Sequence, residues 1–142
     1  MASDGGGPEN TGGPQPTAFA VVDEFWSNMY SQLALHPSQR DMAVFDSQFT
    51  DQRVGGVRDS FSLDAASGYI TAGGEFGVSD RGVDSDDGRH AVVTECRKKV
   101  FQWVELPATE PYTLDASMRY RYELVMSARG WIISEYTATG EC

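Results

Sequence analysis

A chain of 142 residues, 40% hydrophobic and 11% aromatic, suffices for one domain with a substantial core. Its 11 Lys and Arg against 21 Asp and Glu give a formal net charge of −10, which argues against nucleic acid or anionic membrane as partners, both being polyanions. No run of about 18 apolar residues is present to span a bilayer, and no basic-then-apolar leader opens the sequence.

Residues 1–16 are rich in Gly, Pro, Ser and Thr and read as a disordered tether unable to pack a core. Extracytoplasmic lipoproteins often carry such a tether directly after their lipidated cysteine. The expectation is therefore a soluble domain of an anchored or secreted envelope protein, its membrane tether lying upstream. A cytoplasmic protein with a disordered N-terminus is the alternative.

The domain, residues 17–142, is expected to begin with Thr17 as a helix N-cap. Phe19, Val22, Trp26, Met29 and Leu33 recur at steps of three or four and form one apolar stripe, widened by Phe25 and Tyr30. Pro37 breaks this helix. A second helix is predicted from Gln39 to about Thr50, with Met42, Phe45 and Phe49 apolar and Gly55–Gly56 ending it.

From there the period changes from 3.6 to 2. A short strand or helical turn is expected around Phe61 and Leu63. A Gly-interrupted strand comes next, holding Tyr69, Ile70, Phe76 and Val78, where glycines imply bulges and strong curvature. "DRGVDSDDGR" reads as a polar turn, and "HAVVTECRKKVFQWVEL" as a long strand ended by Pro107. The next strand places Leu114, Ala116, Met118, Tyr120, Tyr122, Leu124 and Met126 on one face. Asp115, Ser117, Arg119, Arg121 and Glu123 fall on the other, so one face is buried and one wet. Arg129–Gly130 is a hairpin turn, and "WIISEYTAT" the returning strand.

Cys96 and Cys142 would pair in an oxidising compartment and pin the C-terminus to a central strand. The favoured reading is a reduced core thiol at Cys96 with a frayed Cys142, because a terminal residue is seldom well placed for bonding. Two helices followed by long antiparallel strands define an α+β fold with helices packed on one sheet face.

With its amphipathic "AFAVVDEFWSNMYSQL" helix and a closing hairpin built around "RGWIIS", the chain resembles the NTF2-like superfamily. These are cone-shaped α+β domains; a different helix-plus-sheet arrangement, cystatin-like in the looser sense, is the alternative. A well-marked third helix is missing, since Leu63–Ser67 supplies little more than a turn. The resemblance implies a curved sheet wrapped around helices, with a pocket at the cone's open end. It also implies a sheet that can form a homodimer. Members include isomerase-like and cyclase-like enzymes, and non-catalytic modules of transport, secretion and envelope assemblies; fold alone does not choose among them.

A binding member would use Trp26, Tyr30, Tyr69, Trp103, Tyr120 and Tyr122 to hold a small apolar ligand, or a sheet face to hold a protein partner. An isomerase, cyclase or dehydratase would use Asp46 as a base with Tyr30 or Tyr120 as the opposing donor. Asp46 is as readily a solvated side chain, and the tyrosines as readily packing groups. His36 is expected to cap the first helix, and His90 to be exposed. Asp80, Asp84, Asp86 and Asp87 lack the spacing of a calcium loop and read as a solvated hairpin tip. In "CRKKVF", Arg97 and Lys99 share a face with Glu95, which they are expected to keep wet. No zinc-protease, serine-hydrolase, phosphate-loop or dinucleotide motif is present, and no cofactor or metal is expected. The leading expectation is thus a non-enzymatic binding module.

Overall fold

A computed structural model describes residues 15–50, 68–107 and 109–142. The expected tether lies almost wholly outside the described residues, as do the strand or turn around Phe61 and Leu63 and the Gly55–Gly56 break.

Helix α1 runs Gln15–Leu33, so Thr17 lies within the helix rather than capping it. Ala18, Val22, Phe25, Trp26 and Leu33 are buried along one stripe, with Phe19, Met29 and Tyr30 packed at its margins. Its last carbonyls are capped by Arg40, whose Nε donates to Gln32 O at 2.9 Å and whose guanidinium also donates to Tyr69 O at 2.7 Å. His36 instead starts the next turn, its Nδ1 accepting from Ser38 N.

The predicted second helix is replaced by two short 3-10 helices, Pro37–Gln39 and Met42–Phe45. Phe45 and Phe49 are both fully buried against Phe25, at ring separations of 5.9 and 4.8 Å. Their spacing comes from this anchoring and not from a continuous helix. Beyond Phe45 the backbone turns to the sheet edge: Ile133 N donates to Gln48 O at 2.7 Å, and Thr50 N to Ile133 O at 3.0 Å. Amides used there are lost to any helical ladder.

Five antiparallel strands come after: β1 Tyr69–Asp86, β2 His90–Glu105, β3 Tyr112–Asp115, β4 Met118–Ser127 and β5 Gly130–Gly140. The order is β1-β2-β4-β5, with β3 pairing β2 beyond the end of β4. β1 pairs β2 along its length through three register shifts, two of them at glycines (Gly73–Gly74 and Gly82) as bulges and the third at Val83–Ser85, where there is no glycine. Gly74 is required at one of them, since a Cβ there would lie 2.1 Å from Val100 O. The hairpin tip is only Asp87–Arg89; Asp80 to Asp86, read from sequence as turn, belong to β1. The Asp87 carboxylate accepts from the Arg89 and His90 amides and stabilises the tip. His90 is exposed, as expected.

The single strand expected from Leu114 to Met126 is broken at Ala116–Ser117. There Ala116 N donates to Lys99 O and Lys99 N to Ser117 Oγ, at 2.8 and 3.1 Å. The break is local, since β3 and β4 pair with β2 in one register, Val100 with Asp115 and Arg97 with Met118, and the alternation of faces is kept. Tyr120, Tyr122 and Leu124 are buried, whereas Leu114 and Met126 are exposed at the two ends. The β4–β5 turn is Ala128–Arg129, with Gly130 opening β5 at φ 101°.

Cys96 and Cys142 form a disulfide with their Cα atoms 5.9 Å apart. This overturns the reduced reading: β5 runs on to Gly140, which pairs with Arg119, itself the partner of Cys96. The terminus is thereby delivered to the central strand.

Most consequential is the inner face of β2, formed by Ala91, Val93, Glu95, Arg97, Lys99 and Phe101. Glu95, Arg97 and Lys99 are 0%, 6% and 7% exposed, not the wet edge predicted. Only Lys98 points outward, paired with Glu75 at 3.2 Å.

Candidate ligand-binding site

The three buried charges divide between two neighbouring arrangements. The first seals α1 to the sheet. Glu95 accepts from Tyr122 Oη at 2.6 Å, Arg97 Nε at 2.8 Å and Arg81 Nε at 3.0 Å. Tyr122 Oη in turn accepts from Trp26 Nε1 at 2.8 Å. Arg97 and Arg81 both reach up to Asp23 on α1, Arg97 at 3.0 Å. A carboxylate without solvent is tolerable because both oxygens are occupied by donors, two of them cationic.

The titration behaviour is set by this packing. Burial works against the charge on Arg97, but the Glu95 carboxylate more than offsets it and holds the guanidinium more basic than usual. Burial and the same carboxylate push the Tyr122 hydroxyl well above the ordinary phenol range. At Asp23 burial raises the pKa, yet hydrogen bonds from Arg81 and Arg97 bring it below the usual carboxylate value.

The second arrangement is a cleft of about 430 Å³ at the end of the sheet where β3 pairs with β2. That volume falls in the range of small-molecule sites. Trp26, Met29 and Leu33 of α1 form one wall, and Phe101 and Trp103 of β2 another. Tyr69, Tyr112, Leu114, Ala116, Tyr120 and Tyr136 add to the lining, with Tyr112 and Leu114 exposed at the rim.

Among the described residues of that aromatic lining the one charged group is Lys99. Its Nζ donates to Tyr120 Oη and lies 4.4 Å from the Trp26 ring centroid and 4.7 Å from that of Tyr120. Among the described residues it has no carboxylate partner. The two rings favour the ammonium form. Burial, and then the Arg97 charge, work against it, and the outcome is a pKa lowered from 10.5 to about 8. Tyr120 is pushed up to about 12, chiefly by burial.

Of the residues expected to bind ligand, Trp26, Tyr69, Trp103 and Tyr120 line the cleft. Tyr122 lies beneath Trp26, bound to Glu95. Tyr30 stacks on Phe76 at 4.1 Å, its buried hydroxyl without a hydrogen-bond partner among the described residues. Asp46 is exposed at the end of the second 3-10 helix, outside the cleft. Lys99 and Glu95 were not singled out as site residues. The usable signal was the phase of β2: Ala91, Val93 and Phe101 face inward, and counting by two between them reaches 95, 97 and 99.

A curved five-stranded antiparallel sheet closed by a long amphipathic helix, with a cleft at its open end, is the NTF2-like fold. Crystal structures that share it include these three. The intermembrane space region of the chloroplast protein ARC6 matches at 21% identity and TM-score 0.65, over 89% of this chain and 97% of that one. A putative dehydratase of the NTF2-like family from Streptomyces avermitilis matches at 16% identity and TM-score 0.61, over 89% and 99%. The Kfla4162 protein from Kribbella flavida matches at 14% and 0.56, over 89% and 93%. Sequence comparison gives no matching family model and no matching curated protein.

Proposed function

We propose that this domain is a non-enzymatic binding module. Its cone takes a small molecule with an apolar body and a hydrogen-bond-accepting head. The carrying observation is Lys99, an amine without a carboxylate partner among the described residues, set in an aromatic cleft. The body would lie against Trp26, Phe101 and Trp103 and the head would meet Lys99 Nζ. The acid–base alternative has less support, because Asp46 is exposed outside the cleft. Glu95, the one fully buried carboxylate among the described residues, is occupied by three donors and does not line the cleft. An oxidising, extracytoplasmic setting is supported by the Cys96–Cys142 bond, since such bonds persist mainly outside reducing compartments.

Three ligands sharing one tail test this reading: decanoate, decanol and decylamine, titrated below their aggregation thresholds while tryptophan fluorescence is monitored. A charge-assisted hydrogen bond contributes about 1.5–3 kcal/mol, so decanoate is expected to bind ten- to a hundredfold tighter than decanol. Decylamine should bind weakest. Lys99→Met should remove the preference and keep decanol binding. No binding by any of the three, or equal binding by all, would overturn the proposal.

A further inference from the structure

We propose that Lys99 is a covalent anchor: its Nζ condenses with the aldehyde or ketone carbonyl of an apolar ligand seated in the cleft, forming an imine. This rests on the cleft reading above and names the ligand's reactive group.

The geometry supplies what the reaction needs. A lysine becomes a nucleophile when it is desolvated in an apolar pocket or set beside another cation. Lys99 meets both conditions, being buried among aromatic rings with Arg97 two residues along the same face of β2. Among the described residues, the groups facing it from other elements are Trp26 of α1, Phe76 of β1 across the register and Tyr120 of β4. Asp115 and Glu141 border a smaller cleft of about 300 Å³ that shares Lys99 and Tyr120, and neither is ion-paired to Nζ. A pKa near 8 in place of 10.5 raises the neutral-amine fraction at pH 7 about 300-fold. As structure alone the residue is a poor choice, since a buried amine with no counter-charge among the described residues costs stability that a methionine of similar length would not.

The step balances without an added oxidant or reductant. The neutral Nζ lone pair attacks the carbonyl carbon, a C–N bond forms, and the C=O π pair moves to oxygen. The proton shed by nitrogen passes through Tyr120 Oη, already hydrogen-bonded to Nζ, to that oxygen. The nitrogen pair then closes C=N as the C–O bond breaks and water leaves with a second proton. Amine and carbonyl compound have become imine and water.

Lys98 and Lys99 are the only lysines in the chain, and they face opposite sides of the sheet, which gives an internal control. The disulfide-bonded protein is incubated with decanal and cyanoborohydride at pH 7, and labelling is mapped by mass spectrometry. Lys99 is expected to acquire one decyl group at least tenfold faster than the exposed Lys98. Lys98→Arg, which leaves Lys99 as the sole lysine, should label as the parent does, and Lys99→Arg should lose the fast phase. Excess decanol should slow the reaction at Lys99 and leave Lys98 unchanged. Labelling at Lys98 alone, or equally at both, would overturn the imine while decanol binding persisted. Loss of decanol binding as well would remove the cleft reading beneath it.

Discussion

Replacing Glu95 by glutamine tests the buried network most sharply. The wild-type carboxylate has no solvent exposure and receives Tyr122 Oη at 2.6 Å, Arg97 Nε at 2.8 Å and Arg81 Nε at 3.0 Å. Glutamine retains one acceptor oxygen and sets an NH₂ where the other stood, facing a guanidinium. Arg81, with a side chain 27% exposed, can turn toward water, but Arg97, at 8%, cannot. Arg97 keeps Asp23, which is itself half exposed and so screened. Removing one partner of a buried pair costs about 3–5 kcal/mol, a large part of the about 5–15 kcal/mol that holds a domain folded. For a chain of this length that corresponds to a fall in Tm of roughly 10 °C or more. Urea unfolding at pH 7 with the disulfide intact gives the difference directly. Tyr122→Phe should cost less, about 1.5–3 kcal/mol, by removing one bond to the carboxylate and leaving Trp26 Nε1 without its acceptor. The two changes combined should be less than additive. A cost below about 1 kcal/mol for Glu95→Gln, or a larger one for Asp23→Asn, would refute the reasoning.

Lys99 predicts an unusual pH profile. Its folded pKa of about 8 lies below the unfolded 10.5, so the unfolded chain holds more protons between those values and stability rises with pH there. Relative to Lys99→Met, the parent should gain about 2 kcal/mol between pH 8 and 10 in urea titrations, and a flat difference would contradict the buried amine. Tyr30, Tyr120 and Tyr122, all with raised values, act oppositely only above pH 10. Reducing the Cys96–Cys142 bond releases a closure of 46 residues, worth about 4 kcal/mol by the chain-entropy relation. The Cys96→Ser, Cys142→Ser double variant should lose about that much in urea, and a loss below about 1 kcal/mol would mean that the terminus is held by β5 pairing alone.

Much of the frame was legible in the residue pattern. The 3.6-residue stripe from Phe19 to Leu33 and the period-2 runs of β2 and β4 specify an α+β arrangement, because burial of one face dictates those spacings. The glycines of β1 announced two of its three register shifts. Phe45 and Phe49 misled, since a four-residue step between buried rings arises from a 3-10 turn anchored to a sheet edge as readily as from a helix. The charged centre was hidden for a different reason. Glu95, Arg97 and Lys99 look like a wet face because charges are seldom buried without partners, and the partners of Glu95 and Arg97 come from far along the chain. Asp23 is 74 residues from Arg97, and Arg81 is 14 from Glu95. No local window contains both halves. The disulfide was hidden likewise, its geometry depending on how far β5 runs beside β4.

The Lys99 amine can be observed directly. With lysine labelled at ¹³Cε, the Lys99 resonance should titrate near pH 8 in the free protein. Added decanoate should raise that value, because a carboxylate bound at Nζ favours the ammonium. A Lys99 signal titrating near 10.5, unmoved by decanoate, would contradict a ligand site built on this amine.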